Sequence, residues 1–267
     1  MTAWNFPEGE EIAPGLRAVR LLGGGKRYEA YLAWADHLRA LVVVKVLRPS
    51  HVGDLDALRR EAAMLSSLAH PMLLRAYGAQ LAGERPHLVL EHIEGPRLST
   101  LMRRYGMNLE QLLPLALNLC AVLHYLAHER VVHLDVKPSN IIMGGEPRLI
   151  DLSIARRYDE LGELRSAVGT DLWMAPEQRE VDRFGEIGPA SDIWGLGATL
   201  RAAMPARVPT PVGDAVAACL APQPADRPTA DELARLLEPL VDALPAPRLG
   251  RFRPSPRRRN HHQEVHS

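Results

Sequence analysis

At 267 residues and 46% apolar content, the chain can bury a substantial core, as one large domain or two small ones, which excludes global disorder. Acidic and basic residues number 32 each, so the formal net charge is zero, against a nucleic-acid binder working through overall charge. Cys120 and Cys219 lie far apart without metal-ligand company and read as buried thiols of a reducing cytoplasm.

The first residues are acidic and lack the apolar core of an export signal. The longest apolar run, 112–123, carries Pro114 and Asn118 and falls short of the roughly 20 residues that span a bilayer. A soluble, cytoplasmic protein without a transmembrane segment is expected.

Residues 16–34 read as two strands around a glycine turn, Leu22-Gly23-Gly24-Gly25-Lys26-Arg27-Tyr28. The run 41–47 is a buried strand by its valines, and its lone charge, Lys45, is out of place in a simple core strand. Residues 54–68 show helical spacing, with Asp54 as N-cap, Glu61 along the helix and His70-Pro71 at its end. Strands are expected over 73–81 and 87–92, with Gly83 between them. After Gly95-Pro96 the texture turns helical: 98–105, a long apolar helix over 109–129, then 191–203, 211–220 and 229–244. Two short strands flank the Gly144-Gly145-Glu146-Pro147 turn, and 152–177 read as loop.

Between the long helix and those strands lies His133-Leu134-Asp135-Val136-Lys137-Pro138-Ser139-Asn140. An acid, a base and an amide stand at the spacing H-x-D-x-x-x-x-N, the pattern of a phosphoryl-transfer loop. Such chemistry needs a phosphate cradle, cations and a group that orients the attacking hydroxyl. Gly23, Gly24 and Gly25 offer backbone N–H groups without a Cβ in the way, although a glycine run is by itself more often only a turn. Lys45 suits the phosphates, held by Glu61; the pair could equally be a structural ion pair. Asp135 suits the hydroxyl proton, Lys137 the charge on the transferred group, and Asn140 with Asp151 the hard oxygen ligands that Mg²⁺ prefers. Of 32 basic residues only Lys26, Lys45 and Lys137 are lysine, and two of these three fall in this set.

Over residues 16–243 the chain resembles bacterial Hanks-type (eukaryotic-like) Ser/Thr protein kinases. Val42-Val43-Val44-Lys45 is similar to V-A-I-K, and Asp151-Leu152-Ser153 to D-F-G. Gly169-Thr170 and Met174-Ala175-Pro176-Glu177 resemble the substrate-side loop ending in A-P-E. Ser191-Asp192-Ile193-Trp194-Gly195 is similar to the helix whose Asp anchors the catalytic loop, and Asp226-Arg227-Pro228 resembles the segment whose Arg pairs with the A-P-E glutamate, here Glu177. The resemblance implies an α+β, two-lobed protein kinase fold: an extension over 1–15, a β-rich lobe with one helix over 16–90, a hinge over 91–95, a helical lobe over 96–244, and a basic, disordered tail over 245–267. It also implies ATP with Mg²⁺ (or Mn²⁺), Ala30, Val43 and Ile142 around adenine, Glu91 and Ile93 as hinge hydrogen-bonding backbone, and Thr170 among the catalytic residues. Lys137, two residues after Asp135, is the Ser/Thr arrangement.

Four departures qualify this. Tyr28 stands at the usual third glycine of the phosphate loop. Leu134 replaces the Arg that often receives an activation-loop phosphate, so a kinase of non-RD type without loop-phosphorylation control is expected. Ser153 replaces the D-F-G glycine, and the stretch between Met204 and Pro211 is short. An active kinase on protein substrates, taking its signal from a regulatory partner or from synthesis itself, and a pseudokinase or nucleotide-binding scaffold both remain open. Retention of Lys45, Glu61, Asp135, Lys137, Asn140 and Asp151 favours the first. The arginine-rich tail, with Ser255, is a solvated terminus or a weak contact for nucleic acid, lipid or an acidic partner.

Overall fold

The computed structural model describes residues 2–164 and 166–244, without the side chains of Val181 and Asp182; the basic tail with Ser255 lies outside the described residues. The N-terminal third builds one antiparallel sheet in the order β1-β2-β3-β4-β6-β5. Its strands are β1 (Glu11–Ala13), β2 (Leu16–Gly24), β3 (Tyr28–Ala35), β4 (Ala40–Leu47), β5 (Ala76–Gln80) and β6 (His87–Glu91). The central strands are two-faced because side chains alternate along a strand. Val42, Val44 and Val46 with Tyr31, Ala33 and Ala35 form an outer apolar layer. Val43 and Lys45 with Tyr28 point to the other side, toward the main core.

Residues 1–15, read as an extension, contribute to this lobe. Trp4, Phe6 and Ile12 cover the outer layer, and β1 pairs with β2. The cover is tied down by Glu29, buried on β3, which accepts the Trp4 N–H at 3.2 Å, the Tyr31 hydroxyl at 2.6 Å and Arg48 at 2.7 Å. Arg48 in turn donates through Nε to the Gly25 carbonyl at 2.9 Å, so the N-terminal segment reaches the glycine turn through one buried carboxylate.

Helix α1 runs Asp56–Ser67, two residues later than the cap expected at Asp54. The Asp54 carboxylate is engaged by Arg27 of the glycine turn, and Leu55 stands at the cap without a side-chain bond. The helix ends when Leu68 turns extended, ahead of His70-Pro71. The strand expected over 73–81 shrinks to β5, because Leu73 and Leu74 are drawn away from it: the Leu74 N–H donates to the Leu149 carbonyl at 3.0 Å and the Leu149 N–H to Met72 at 2.8 Å. These residues stitch the sheet lobe to the helical one.

The helical lobe opens with α2 (Leu98–Tyr105) and α3 (Leu109–His128), the latter started by a reciprocal cap between Asn108 and Gln111. At 20 residues α3 is long and apolar enough to cross a membrane, but it is the core helix of this lobe, with nine buried side chains and α8 (Ala230–Asp242) packed along it. Strand β7 (Val131–Val132) leads into the catalytic stretch, and β8 (Ile141–Gly144) pairs with β9 (Glu146–Leu149). The stretch 152–177, read as loop, holds β10 (Arg156–Arg157), paired with β7, and a 3₁₀ turn at Tyr158–Glu163; α4 (Pro176–Arg179) begins at its end. Then come α5 (Val181–Phe184), α6 (Pro189–Ala203) and α7 (Thr210–Cys219).

At the hinge the two lobes approach within backbone contact. A Cβ placed on Gly144 would sit 1.5 Å from the Glu94 carbonyl oxygen, whereas Gly145 next to it faces open space. Gly144→Ala should therefore displace the hinge and destabilise the protein by about 3 kcal/mol, the upper end for overpacking. Gly145→Ala, strained only by its φ of 87°, should cost about 1–2 kcal/mol. Urea unfolding of the two variants side by side checks this; equal midpoints would contradict the hinge contact.

Candidate active site

Lys45 leaves β4 from the inner face, and α1 lies across that face. Lys45 Nζ donates to both Glu61 carboxylate oxygens at 2.8 Å and to Asp151 Oδ1 at 3.0 Å, joining residues 16 and 106 positions away. Glu61 is fully buried. Burial works against the Lys45 charge, but the two carboxylates outweigh it and raise its pKa, so the ammonium stays protonated. Burial likewise pushes Asp151 up, and the Lys45 charge with its hydrogen bond outweighs that, holding the carboxyl below the usual range. The fourth face of the ammonium is covered by Tyr28, whose ring centroid lies 4.7 Å from Nζ.

The stretch His133–Asn140 adjoins this pair, with the Ile150 N–H donating to the Asn140 carbonyl at 2.9 Å. Asp135 Oδ2 accepts Lys137 Nζ at 2.6 Å and Asn140 Nδ2 at 2.9 Å, while Oδ1 accepts the Thr170 hydroxyl at 2.8 Å; Lys137 also donates to Thr170 Oγ1 at 2.5 Å. Four of the named residues thus share one hydrogen-bonded cluster. With Asn140 Nδ2 spent on Asp135, its Oδ1 has no hydrogen-bond donor among the described residues, and neither has Asp151 Oδ2. Two hard oxygens with nothing else to bind are a donor set that fits Mg²⁺, which takes one or two protein oxygens and completes its shell with phosphate and water.

The stretch is held from beneath. Asp192, at the start of α6, accepts the His133 N–H at 2.7 Å and the Leu134 N–H at 2.8 Å. Burial pushes its carboxyl up to about 7 against these two amides. Gln178 Nε2 donates to the Leu134 carbonyl at 2.9 Å and to Val168 at 2.8 Å. Leu134 and Asp151 both adopt positive φ, 66° and 71°, a costly region for residues with a side chain. At Leu134 the strain is held by partners at both ends of its peptide. Ser153, in place of a glycine, is not among the positive-φ residues, so the substitution carries no such strain. The lower frame is closed by Glu177, whose buried carboxylate receives Arg227 at 2.7 and 2.8 Å and Ser191 at 2.8 Å.

Ala30, Val43 and Ile142 are each half-buried, the first two on neighbouring strands and Ile142 beside the hinge, bridged to Arg97. Hinge residue Glu91 has its N–H engaged by the Arg75 carbonyl and its carboxylate by Arg148, whereas the Ile93 backbone has no hydrogen-bond partner among the described residues. Gly23 and Gly25 face open space; a Cβ on Gly24 would strike the Tyr28 carbonyl oxygen at 2.6 Å. Arg48, Glu29 and Gln178 escaped sequence reading. A charged residue within the β3 pattern was the one available signal, and it marked Glu29.

Residues 16–215 match the protein kinase domain family. The chain is 32% identical over 240 residues to the serine/threonine-protein kinase PkaA of Streptomyces coelicolor, covering 76% of this chain and 44% of that protein. It is 28% identical over 230 residues to the serine/threonine-protein kinase PrkC of Bacillus subtilis, covering 83% and 35%. Over a shorter stretch of 145 residues it is 33% identical to mitogen-activated protein kinase kinase kinase 1a of Physcomitrium patens, covering 54% and 19%. The chain spans less than half the length of these relatives. With this match over residues 16–215, the chain belongs to the protein kinase family.

Proposed function

We propose that the protein transfers the γ-phosphoryl group of ATP to serine or threonine hydroxyls of protein substrates. The observation that carries this is the Asp135–Lys137–Thr170–Asn140 cluster, joined to the strand end that bears Asp151 by the Ile150 N–H bond to the Asn140 carbonyl, with Asp151 in contact with Lys45. Asp135 orients the substrate hydroxyl and takes up its proton, because its carboxylate is held by Lys137 and Asn140 on Oδ2 and keeps only the exchangeable Thr170 hydroxyl on Oδ1. Lys137 offsets charge developing on the transferred group, and Lys45, fixed by Glu61, binds the other phosphates with the N–H that Asp151 takes here. Asn140 Oδ1 and Asp151 Oδ2 would hold Mg²⁺, which when bound spreads the phosphate charge. Ala30, Val43 and Ile142 enclose the base, and Gly23, Gly24 and Gly25 cover the phosphates.

Control by activation-loop phosphorylation is absent in this reading. Leu134 is buried in an apolar cluster with Val132 and Ile187, against Ile154, Tyr158, Leu161, Leu164 and Val168 of the loop. Apolar packing does here what an Arg–phosphate pair does elsewhere, so the signal enters through a regulatory partner. Free, buried Cys120 and Cys219 suit a cytoplasmic setting. One observation favours a nucleotide-binding scaffold instead: Lys45 has all three N–H groups engaged and Tyr28 above it.

Incubation with γ-labelled ATP and Mg²⁺ decides between them. Label on Ser or Thr in the wild type, reduced at least about 100-fold in Lys45→Met by loss of its transition-state charge contact, is the expected result. Nucleotide binding without label transfer by the wild type would favour the scaffold.

A further inference from the structure

Tyr28, beside Lys45, has a polar group that the proposed reaction does not use. Its ring covers the Lys45 ammonium at 4.7 Å, yet its hydroxyl is buried with no hydrogen-bond partner among the described residues, although Lys45, Glu61 and Asp151 all lie within electrostatic reach. Lys45 has no donor to spare, since Glu61 and Asp151 take all three. Burial pushes the phenol pKa up, so the group stays a neutral O–H donor. A buried hydroxyl without a partner is destabilising, and proteins retain few of them, so this one marks a place where an acceptor arrives.

The backbone around it is fixed. Tyr28 pairs with Leu47 across β3 and β4, and its carbonyl accepts the Gly25 N–H at 3.0 Å. Arg48 and Arg27 hold the turn from either side, through the Gly25 carbonyl and Asp54. The side chain is thereby presented from a rigid turn, next to the cation that would meet the phosphates.

We propose that Tyr28 is a nucleotide-binding residue whose hydroxyl donates to a phosphate oxygen of a bound nucleoside polyphosphate. It takes the place of the close backbone approach that a glycine at this position permits. An anionic phosphate oxygen is the strongest available acceptor for a phenol. The ring meanwhile keeps the Lys45 ammonium in place. This inference rests on the nucleotide-binding reading above, and it makes the site selective for phosphates rather than for the base.

Calorimetric titration of the full chain with Mg·ATP, Mg·ADP and adenosine, for wild type, Tyr28→Phe and Tyr28→Gly, tests it. Removing one charge-assisted hydrogen bond should weaken ATP and ADP about tenfold in Tyr28→Phe and leave adenosine unchanged, with Tyr28→Gly weakened at least as much. Equal ATP affinity in wild type and Tyr28→Phe would overturn the proposal alone, as would tighter binding by Tyr28→Gly, which would make Tyr28 a plug over Lys45. Equal losses for ATP and adenosine would overturn it as well, since they reflect damage to the whole pocket. A wild type that binds none of the three ligands would overturn the nucleotide-binding reading itself.

Discussion

Asp135→Asn should lower phosphoryl transfer by about two to four orders of magnitude, the range for loss of a general base, while unfolding at nearly the wild-type denaturant concentration. The hydrogen bonds around this carboxylate explain why the two effects separate. Oδ2 receives two obligate donors, Lys137 and Asn140 Nδ2, so the single oxygen of an asparagine must take that side. The amide nitrogen then faces Thr170 Oγ1, a hydroxyl that can rotate from donor to acceptor. The Lys137 and Asn140 contacts are kept, and Lys45 with Asp151, the residues proposed to meet nucleotide and metal, is untouched. What disappears is the capacity to take a proton. Initial rates with γ-labelled ATP, read beside nucleotide affinity and a urea midpoint, check it. Transfer within about fivefold of wild type would remove Asp135 from the reaction, because loss of a base costs at least about 100-fold.

Arg227→Ala should have the largest effect on stability, about 3–5 kcal/mol, the usual result of removing one partner of a buried ion pair. The guanidinium is completely satisfied. Nε donates to Ala221 at 2.9 Å, Nη1 to Glu177 and Ala190, and Nη2 to Glu177 and Pro222, with the face of Trp194 at 5.0 Å. Both side chains of the pair are fully buried. Truncation leaves the Glu177 carboxylate in the interior with only Ser191 as donor among the described residues, at the point where α4 supports the His133–Asn140 stretch through Gln178. Arg227→Lys should recover little, since an ammonium cannot reproduce the planar fork. Urea unfolding followed by far-UV circular dichroism measures both variants. A loss below about 1 kcal/mol for Arg227→Ala would place the pair among ion pairs of surface strength.

Local pattern was enough for much of this fold. The alternation of β3 and β4, the glycine turn, helix α2 at Leu98–Tyr105 and the long α3 follow from periodicity and breakers alone, because each is settled within about ten residues of chain. Element edges were less legible where a distant partner competed. Asp54 gave up its cap for Arg27, and Leu73 and Leu74 left β5 for Leu149. The stretch 152–177 gained a strand because β7 was there to pair with it, a neighbour that local propensity does not register.

The candidate site divides in the same way. Residue types at fixed spacing in His133–Asn140, with Lys45, Glu61 and Asp151 elsewhere, pointed to phosphoryl transfer because that chemistry demands a base, cations and hard oxygens whatever the scaffold. Only the tertiary structure decided what surrounds them. It placed Tyr28 over Lys45, set Leu134 into the apolar packing of the loop, brought Gln178 to the Leu134 carbonyl and let Glu29 and Arg48 tie the N-terminal segment to the glycine turn. The physical reason is range. Chemical competence resides in a side chain and can be read from its identity, but burial, hydrogen-bond satisfaction and a shifted pKa belong to neighbours that the chain supplies from tens of residues away.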